Sequence, residues 1–347
     1  MRTQPKKPIP SDVKFGTLFT DHMVTARFDV DAGWSEAELS PYQKLSLDPS
    51  ASVLHYGQAI FEGLKAFTVA DGGIALFRPK RHALRFQRSA ERTCMVSVPE
   101  SLFVESVERL VRADEGFVPD APDTSLYIRP TLIATEPFLG VRPARQYLFF
   151  VIACPVGAYY SEGFKPISIW VEESFTRASP GGLGAAKVGA NYVASLLAAE
   201  RAKEAGYAQV LWTDAVEHRY VEEVGTMNVF VRIGDRVITP PAGETALAGV
   251  TRDSVIQLLR DWGIAVEERP LTVEEILEAN RRGQLQEMFG TGTGAVISPV
   301  GKLGFRGEAI TIGDGESGQL SQRLFVALRD IQRGTAPDKH EWLHKVV

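Results

Sequence analysis

A lysine set among glycines and alanines is the first residue that could do chemistry. Lys187 lies in GGLGAAKVGANY (181–192). Small neighbours let backbone approach a bulky planar ligand closely. A lysine kept out of water loses its proton near neutral pH, and its amine can then attack a carbonyl. Taken alone, the commoner meaning of such a residue is a solvated loop lysine.

Further segments could hold a charged, ring-shaped partner. In VEEVGTMNVF (221–230), Glu223 precedes a short glycine turn and a strand. A carboxylate held there could pair with a protonated ring nitrogen, although strand alternation sends Glu222 and Glu223 to opposite faces and leaves open which points inward. AGVTRDSVIQLL (248–259) puts Val250 and Thr251 at a helix start, where free N–H groups and the positive dipole end favour an anion. FGTGTGAVI (289–297) alternates glycine with threonine and so offers bare backbone donors and hydroxyls, without the lysine and spacing of a Walker loop. Each could equally be an ordinary turn.

Two arginines differ in what their context implies. Arg85 shares a helix with Arg81, Arg88 and Arg92, which reads as a solvated charged face. Arg129 lies between Tyr127 and Pro130 in an otherwise apolar strand, where an unpaired charge is costly. A buried partner or an anionic ligand is expected beside it.

The elements that must position these residues divide into two halves. SLFVESVERLVRAD (101–114) is a helix with Phe103, Val107, Leu110 and Val111 on one face. LKAFTV (64–69) and IALFRP (74–79) flank Asp71-Gly72-Gly73, a hairpin signal. SLYIRPTLIA (125–134) and QYLFFVIACPV (146–156) are strand-like. From 161 to 186 periodicity fades, so 1–160 reads as a small N-terminal α/β domain, 161–186 as a linker and 187–347 as a larger domain carrying the lysine. In that second half NYVASLLAAERAKEAG reads as one helix closed by Gly206, and a hairpin turns at Gly234-Asp235. Thr272 and Glu275 form a capping box, and the last helix carries Leu320, Leu324, Leu328 and Ile331. The fold class is α+β in two domains.

Bulk properties exclude several functions. The 347 residues hold 38 basic and 43 acidic side chains, a net charge of −5, so no basic field points to nucleic acid. Two cysteines, Cys94 and Cys154, make neither a disulfide framework nor a zinc site. The N-terminal MRTQPKKPIPSD lacks a secretory apolar core. The longest apolar stretch, 147–156, is half of the roughly 20 residues a bilayer requires. A cytoplasmic protein is expected, with no membrane partner.

Six segments in order carry a resemblance. LHYGQAIFEGLKAF (54–67), SLYIRPTLIATEPFLGV (125–141), CPVGAYY (154–160), AAKVGANY (185–192), EVGTMNVF (223–230) and FGTGTGA (289–295) closely resemble the branched-chain amino-acid aminotransferases, which are fold-type IV pyridoxal-phosphate enzymes. The likeness runs from FGTLFTDHM (15–23) to the last helix.

That resemblance implies an active site at the domain joint and dimer interface. Lys187 would carry pyridoxal 5′-phosphate as a Schiff base, Glu223 would pair with the pyridine nitrogen, and Tyr192 would bond the ring's phenolic oxygen. Arg85, the backbone of Val250 and Thr251, and the hydroxyl of Thr291 or Thr293 would hold the phosphate, with Thr226 near the ring. Phe15, Tyr56, Tyr127 and Tyr159 would wall an aliphatic pocket, and the backbone N–H groups of Thr293 and Gly294 would meet the substrate carboxylate. Leu139 and Val141 would reach into the neighbouring subunit's site, which implies a homodimer. The substrates implied are L-leucine, L-isoleucine and L-valine, glutamate and their 2-oxo acids. Some relatives carry a redox-active C-x-x-C after the glycine-threonine loop. Here Ala295 and Ser298 stand there, so no thiol switch is expected. The rivals are a D-amino-acid aminotransferase or an aminodeoxychorismate lyase, or, from another class, a phosphate- or nucleotide-binding protein.

Overall fold

In the computed structural model residues 7–10, 13–157 and 164–347 are described. They form two compact units, one of Met1–Tyr159, Ala186–Gly189 and Arg329–Val347, the other of Tyr160–Ala185 and Ala190–Leu328.

The first unit is a nine-stranded sheet with helices. Its elements are β1 (His22–Asp29), β2 (Gly33–Trp34), β3 (Glu38–Pro41), α1 (Ser52–Tyr56), β4 (Ala59–Phe61), β5 (Leu64–Thr68) and β6 (Ile74–Phe77). They continue with α2 (Pro79–Arg92), α3 (Glu100–Ala113), β7 (Ser125–Ala134) and β8 (Gln146–Val156). The C-terminal strand Leu343–Lys345 returns to this sheet beside β6, which is followed by β5, β7, β8, β1 and β2; β3 pairs with β1 and β4 with β7. The Asp71-Gly72-Gly73 turn joins β5 to β6, with Gly72 at φ +81°. Phe103, Val107, Leu110 and Val111 of α3 are all fully buried. Phe103, Phe86 of α2 and Phe149 of β8 pack with ring centroids 5.4, 5.8 and 6.1 Å apart, so three elements share one aromatic core.

The second unit is built on β9 (Ile167–Val171), α4 (Gly189–Val193), α5 (Leu196–Glu204), β10 (Gln209–Thr213), β11 (Val221–Val224), β12 (Met227–Ile233) and β13 (Arg236–Thr239). Then come α6 (Val250–Asp261), β14 (Ala265–Glu268), α7 (Val273–Arg281), β15 (Leu285–Gly292), β16 (Val296–Phe305), β17 (Glu308–Thr311) and α8 (Gln319–Gln332). The sheet runs β11-β10-β9-β16-β15-β12-β13-β14, and β11 also pairs with β12. That extra pairing closes six strands into a ring. Closure pairs both edges of each strand in the ring and encloses a core of Ile169, Val171, Leu211, Val224, Val229, Met288 and Leu303, among others.

Several sequence expectations are corrected. Residues 161–186 are not a structureless linker, because β9 lies there, between β10 and β16 and parallel to both. Lys187 groups with the first unit, which also takes the C-terminal segment and is the larger of the two. The fade in periodicity that suggested a linker reflects a short strand sunk in a closed sheet. The single helix expected after Lys187 is two, α4 and α5, interrupted where the Ser195 hydroxyl donates to Tyr192 O at 2.7 Å. At α7 the Thr272 hydroxyl accepts from Glu275 N–H at 3.0 Å, but the Glu275 carboxylate pairs with Arg269 at 2.6 Å. The cap is therefore carried by the threonine.

Trp342, just before the C-terminal strand, is buried, edge-on to Phe77 at 5.7 Å and under the Arg78 guanidinium at 5.1 Å. Trp342→Ala is expected to destabilise the first unit by about 3–5 kcal/mol. The denaturant midpoint of its unfolding checks this; an unchanged midpoint would show that the C-terminal strand is not part of that core.

Candidate active site

In the first unit Lys187 is pinned by its backbone on both sides. Its N–H donates to Ser89 Oγ on α2 at 2.9 Å, and its carbonyl accepts from Phe61 N–H at the end of β4 at 3.0 Å. The next residue, Val188, bridges to Ile60. The side chain is half-buried, with Nζ 4.7 Å from the centre of the Phe61 ring. Burial first, then the Arg85 charge, outweigh Glu62 and Tyr127 and lower the Lys187 pKa from 10.5 to about 8. The amine is thus held where it can shed a proton near neutral pH.

Arg85 is not on a solvated face. It is buried while Arg81, Arg88 and Arg92 of the same helix are exposed, because α2 turns Pro79, His82, Ala83, Arg85, Phe86 and Ser89 inward. Its guanidinium grips Glu62 with two bonds, Nε to Oε1 at 2.7 Å and Nη2 to Oε2 at 2.8 Å. His82 Nδ1 meets Glu62 Oε2 at 2.8 Å. Burial would raise the Glu62 carboxyl, yet Arg85 and then His82 outweigh it and hold the group well below the usual carboxylate range. Burial lowers the His82 pKa against the pull of Glu62. The neutral ring then donates from Nδ1, since a carboxylate only accepts.

Arg129 stacks over Phe61 at 4.5 Å and donates from Nη2 to the Tyr127 hydroxyl at 3.0 Å. Among the described residues its buried Nε has no hydrogen-bond partner and no carboxylate pairs with it. Phe15, more than half exposed, sits edge-on to buried Tyr127 at 4.8 Å. Gly63 makes room for that tyrosine, because a Cβ there would come within 2.7 Å of Tyr127 Cζ. Tyr56 donates its hydroxyl to Leu139 O, tying α1 to the loop that carries exposed Leu139 and almost fully solvated Val141. Tyr159 lies outside the described residues.

In the second unit Glu223 is buried at the end of β11. Its carboxylate pairs with Arg177 at 3.0 Å and accepts from Asn228 Nδ2 at 3.1 Å and Leu247 N–H at 2.8 Å. Asn228 also donates to Leu247 O at 2.9 Å. Glu223 and Asn228 together set the loop that enters α6 at Val250 and Thr251, both buried at its first turn. Arg177 further donates to Gly184 O at 3.3 Å and to Thr245 O, so one guanidinium links the glycine-rich segment, the loop before α6 and Glu223. Glu222 is buried too, so both acids are out of solvent whichever face each takes; burial raises its pKa, opposed by Thr245. Thr291 on β15 stands across from Asn228, and among the described residues its buried hydroxyl has no hydrogen-bond partner. Thr293 and Gly294 form the turn between β15 and β16, followed by Val296 at φ +62°, a strained backbone for a β-branched residue. Thr226 is exposed in the turn between β11 and β12, and Tyr192 lies on α4, half-buried.

Sequence reasoning missed Glu62, His82, Arg177 and Asn228. Two of them lie inside segments already quoted, Glu62 in LHYGQAIFEGLKAF (54–67) and Asn228 in EVGTMNVF (223–230).

The family model for amino-transferase class IV matches residues 59–303, most of the chain. The chain belongs to the class IV aminotransferases. This aminotransferase is 45% identical over 344 residues to Branched-chain-amino-acid aminotransferase 2 of Bacillus subtilis, covering 99% of this chain and 95% of that one. It is 48% identical over 346 residues to a Mycolicibacterium smegmatis branched-chain-amino-acid aminotransferase, covering 98% and 94%. Among solved structures it is similar to the Escherichia coli branched-chain amino acid aminotransferase, with TM-score 0.80 and 28% identity, over 94% of this chain and 100% of that one. These structural neighbours are of fold type IV, and the aminotransferase has their mixed α+β organisation.

The depressed Lys187 pKa carries a sign. With the folded value about 8 and the reference 10.5, the buried ammonium costs most below pH 8, and stability from this group rises with pH between the two values. In cofactor-free aminotransferase, the labelling rate of Lys187 by an amine reagent is expected to rise through pH of about 8, read by peptide mass spectrometry. A midpoint near 10.5 would contradict this environment.

Proposed function

We propose that this aminotransferase is a branched-chain amino-acid transaminase that carries pyridoxal 5′-phosphate on Lys187. It would move an amino group between L-leucine, L-isoleucine or L-valine and 2-oxoglutarate. The observation that carries this reading is the Lys187 amine, fixed by its backbone to α2 and β4 and held near a pKa of about 8.

The residues present fit such a cofactor. The Thr291 hydroxyl is buried and has no partner among the described residues, which favours it over Thr293 as a phosphate ligand. Val250 and Thr251 open a 12-residue helix, where backbone N–H groups suit an anion. Arg85 supplies a fixed guanidinium. Glu223, oriented by Arg177, Asn228 and Leu247, would hold a proton on the ring nitrogen, and Tyr192 would meet the phenolic oxygen. Thr226 is assigned a place near the ring by resemblance alone.

When bound, the cofactor supplies an electron-poor ring that stabilises negative charge building at the amino acid's α-carbon. Lys187 Nζ would take the α-proton and deliver a proton to the cofactor's carbon across the shared nitrogen. Phe15, Tyr56, Tyr127 and Tyr159 would surround the aliphatic side chain, and the N–H groups of Thr293 and Gly294 the carboxylate. Amino donor and acceptor would use one site in turn, giving ping-pong kinetics. Arg129, with no carboxylate partner among the described residues and Tyr127 steadying one edge, would bind the distal carboxylate of glutamate. Leu139 and Val141, exposed on one chain, would serve the site of a second copy in a homodimer. A cytoplasmic location is in keeping with two free cysteines.

Two assays follow from this reading. With 2-oxoglutarate as acceptor, turnover of L-leucine is expected to exceed that of D-alanine by about 100-fold or more. A preference for D-alanine would move the chain to a different activity within its family. Arg129→Ala is expected to reduce glutamate turnover by about 10–100-fold while leaving leucine turnover within a few-fold. An equal loss for both would remove Arg129 from substrate selection.

A further inference from the structure

The tripeptide Phe61-Glu62-Gly63 touches four candidate groups of the first unit, Lys187, Arg85, Tyr127 and Arg129. Phe61 receives the Lys187 amine over its ring and bonds the Lys187 carbonyl. Gly63 leaves space for Tyr127. Between them, Glu62 is fully buried and fixed by four bonds: two from Arg85, one from His82, and one from its neighbour's own N–H, Gly63 N to Oε2 at 3.1 Å. Breaking such a buried pair leaves a stranded charge, but keeping it contributes little net stability compared with apolar packing. A bidentate clamp with a histidine behind it does one thing well: it fixes the plane and position of a guanidinium.

We propose that Glu62 is a positioning residue for cofactor binding: its carboxylate, braced by His82 and the Gly63 N–H, fixes the Arg85 guanidinium as the anchor for the cofactor's phosphate. This rests on the reading of Lys187 as the cofactor lysine and of Arg85 as a phosphate ligand. Glu62 is also the carboxylate that acts on Lys187 alongside Arg85, Tyr127 and Arg129. It therefore keeps Arg85 from confronting the amine as an uncompensated cation.

The test compares two aldehydes, one with the phosphate and one without. Full-length protein is stripped of cofactor and titrated with pyridoxal 5′-phosphate or pyridoxal, with visible absorbance as the readout and the modified residue mapped to Lys187. Glu62→Gln is expected to weaken pyridoxal 5′-phosphate by about 10–100-fold, the loss typical of a charge-assisted clamp, and to leave pyridoxal within a few-fold. In an Arg85→Lys background Glu62→Gln is expected to add almost nothing, because both act through one contact. A purely structural role would weaken both aldehydes alike. That outcome, or no loss for either, overturns the proposal. Should Glu62→Gln fail to fold, Glu62→Asp is read in the same way: it keeps the charge, withdraws it by one methylene, and is expected to lose affinity for the phosphorylated aldehyde only. If the unaltered protein binds neither aldehyde at Lys187, the cofactor reading itself fails, and the two failures are told apart.

Discussion

Holding a lysine amine out of water while leaving it able to give up its proton is the constraint around which the first unit is organised. An ammonium pays heavily for desolvation, so its pKa falls; neighbouring charges decide how far. Here Arg85 and Arg129 push in the same direction as burial, and Glu62 pushes back. The balance leaves the amine near a pKa of about 8, close enough to neutrality for it to serve as nucleophile and base in turn. The backbone ties to Ser89 and Phe61 then matter as much as the charge, since they place that amine against α2 and β4 and not on a free loop.

The second unit solves a related problem with a carboxylate. Glu223 is buried at a strand end, where a carboxylate needs a counter-charge and hydrogen-bond donors. Arg177 provides the counter-charge, while Asn228 and the Leu247 N–H fix the oxygens. The same Asn228 bonds the Leu247 carbonyl and stands opposite Thr291 across β12 and β15. One amide therefore couples the acid, the loop into α6 and the strand bearing the Thr291 hydroxyl. Closure of six strands into a ring makes this possible, because it buries residues that an open sheet would expose.

Much of the fold was legible in the sequence. The strands 125–134 and 146–156, the Asp71-Gly72-Gly73 and Gly234-Asp235 hairpins, and the four leucine and isoleucine positions of the last helix all rest on local signals, and those signals agree with the final packing. Strand β9 was not legible, since five residues between non-periodic flanks carry no pattern that separates a buried strand from a loop. The return of the C-terminal segment to the first sheet depends on long-range pairing that no local motif encodes. The candidate site divides along the same line. Lys187, Glu223 and the glycine-threonine turn could be picked out because their neighbours are unusual. Arg85 looked like one of four solvated arginines on its helix, and its burial is decided by Glu62, 23 positions away. Glu62, His82, Arg177 and Asn228 work by holding other residues, and their partners lie mostly on other elements, out of reach of spacing rules.

The proposed chemistry stands or falls on Lys187. Treating the cofactor-loaded protein with borohydride and mapping the reduced, labelled peptide tests it most directly. The expected result is a single modified residue, Lys187, in the peptide containing GAAKVGANY, and loss of the modification when L-leucine is added before reduction. Label on another lysine, such as buried Lys65, or label indifferent to L-leucine, would contradict Lys187 as the cofactor lysine of a branched-chain transaminase.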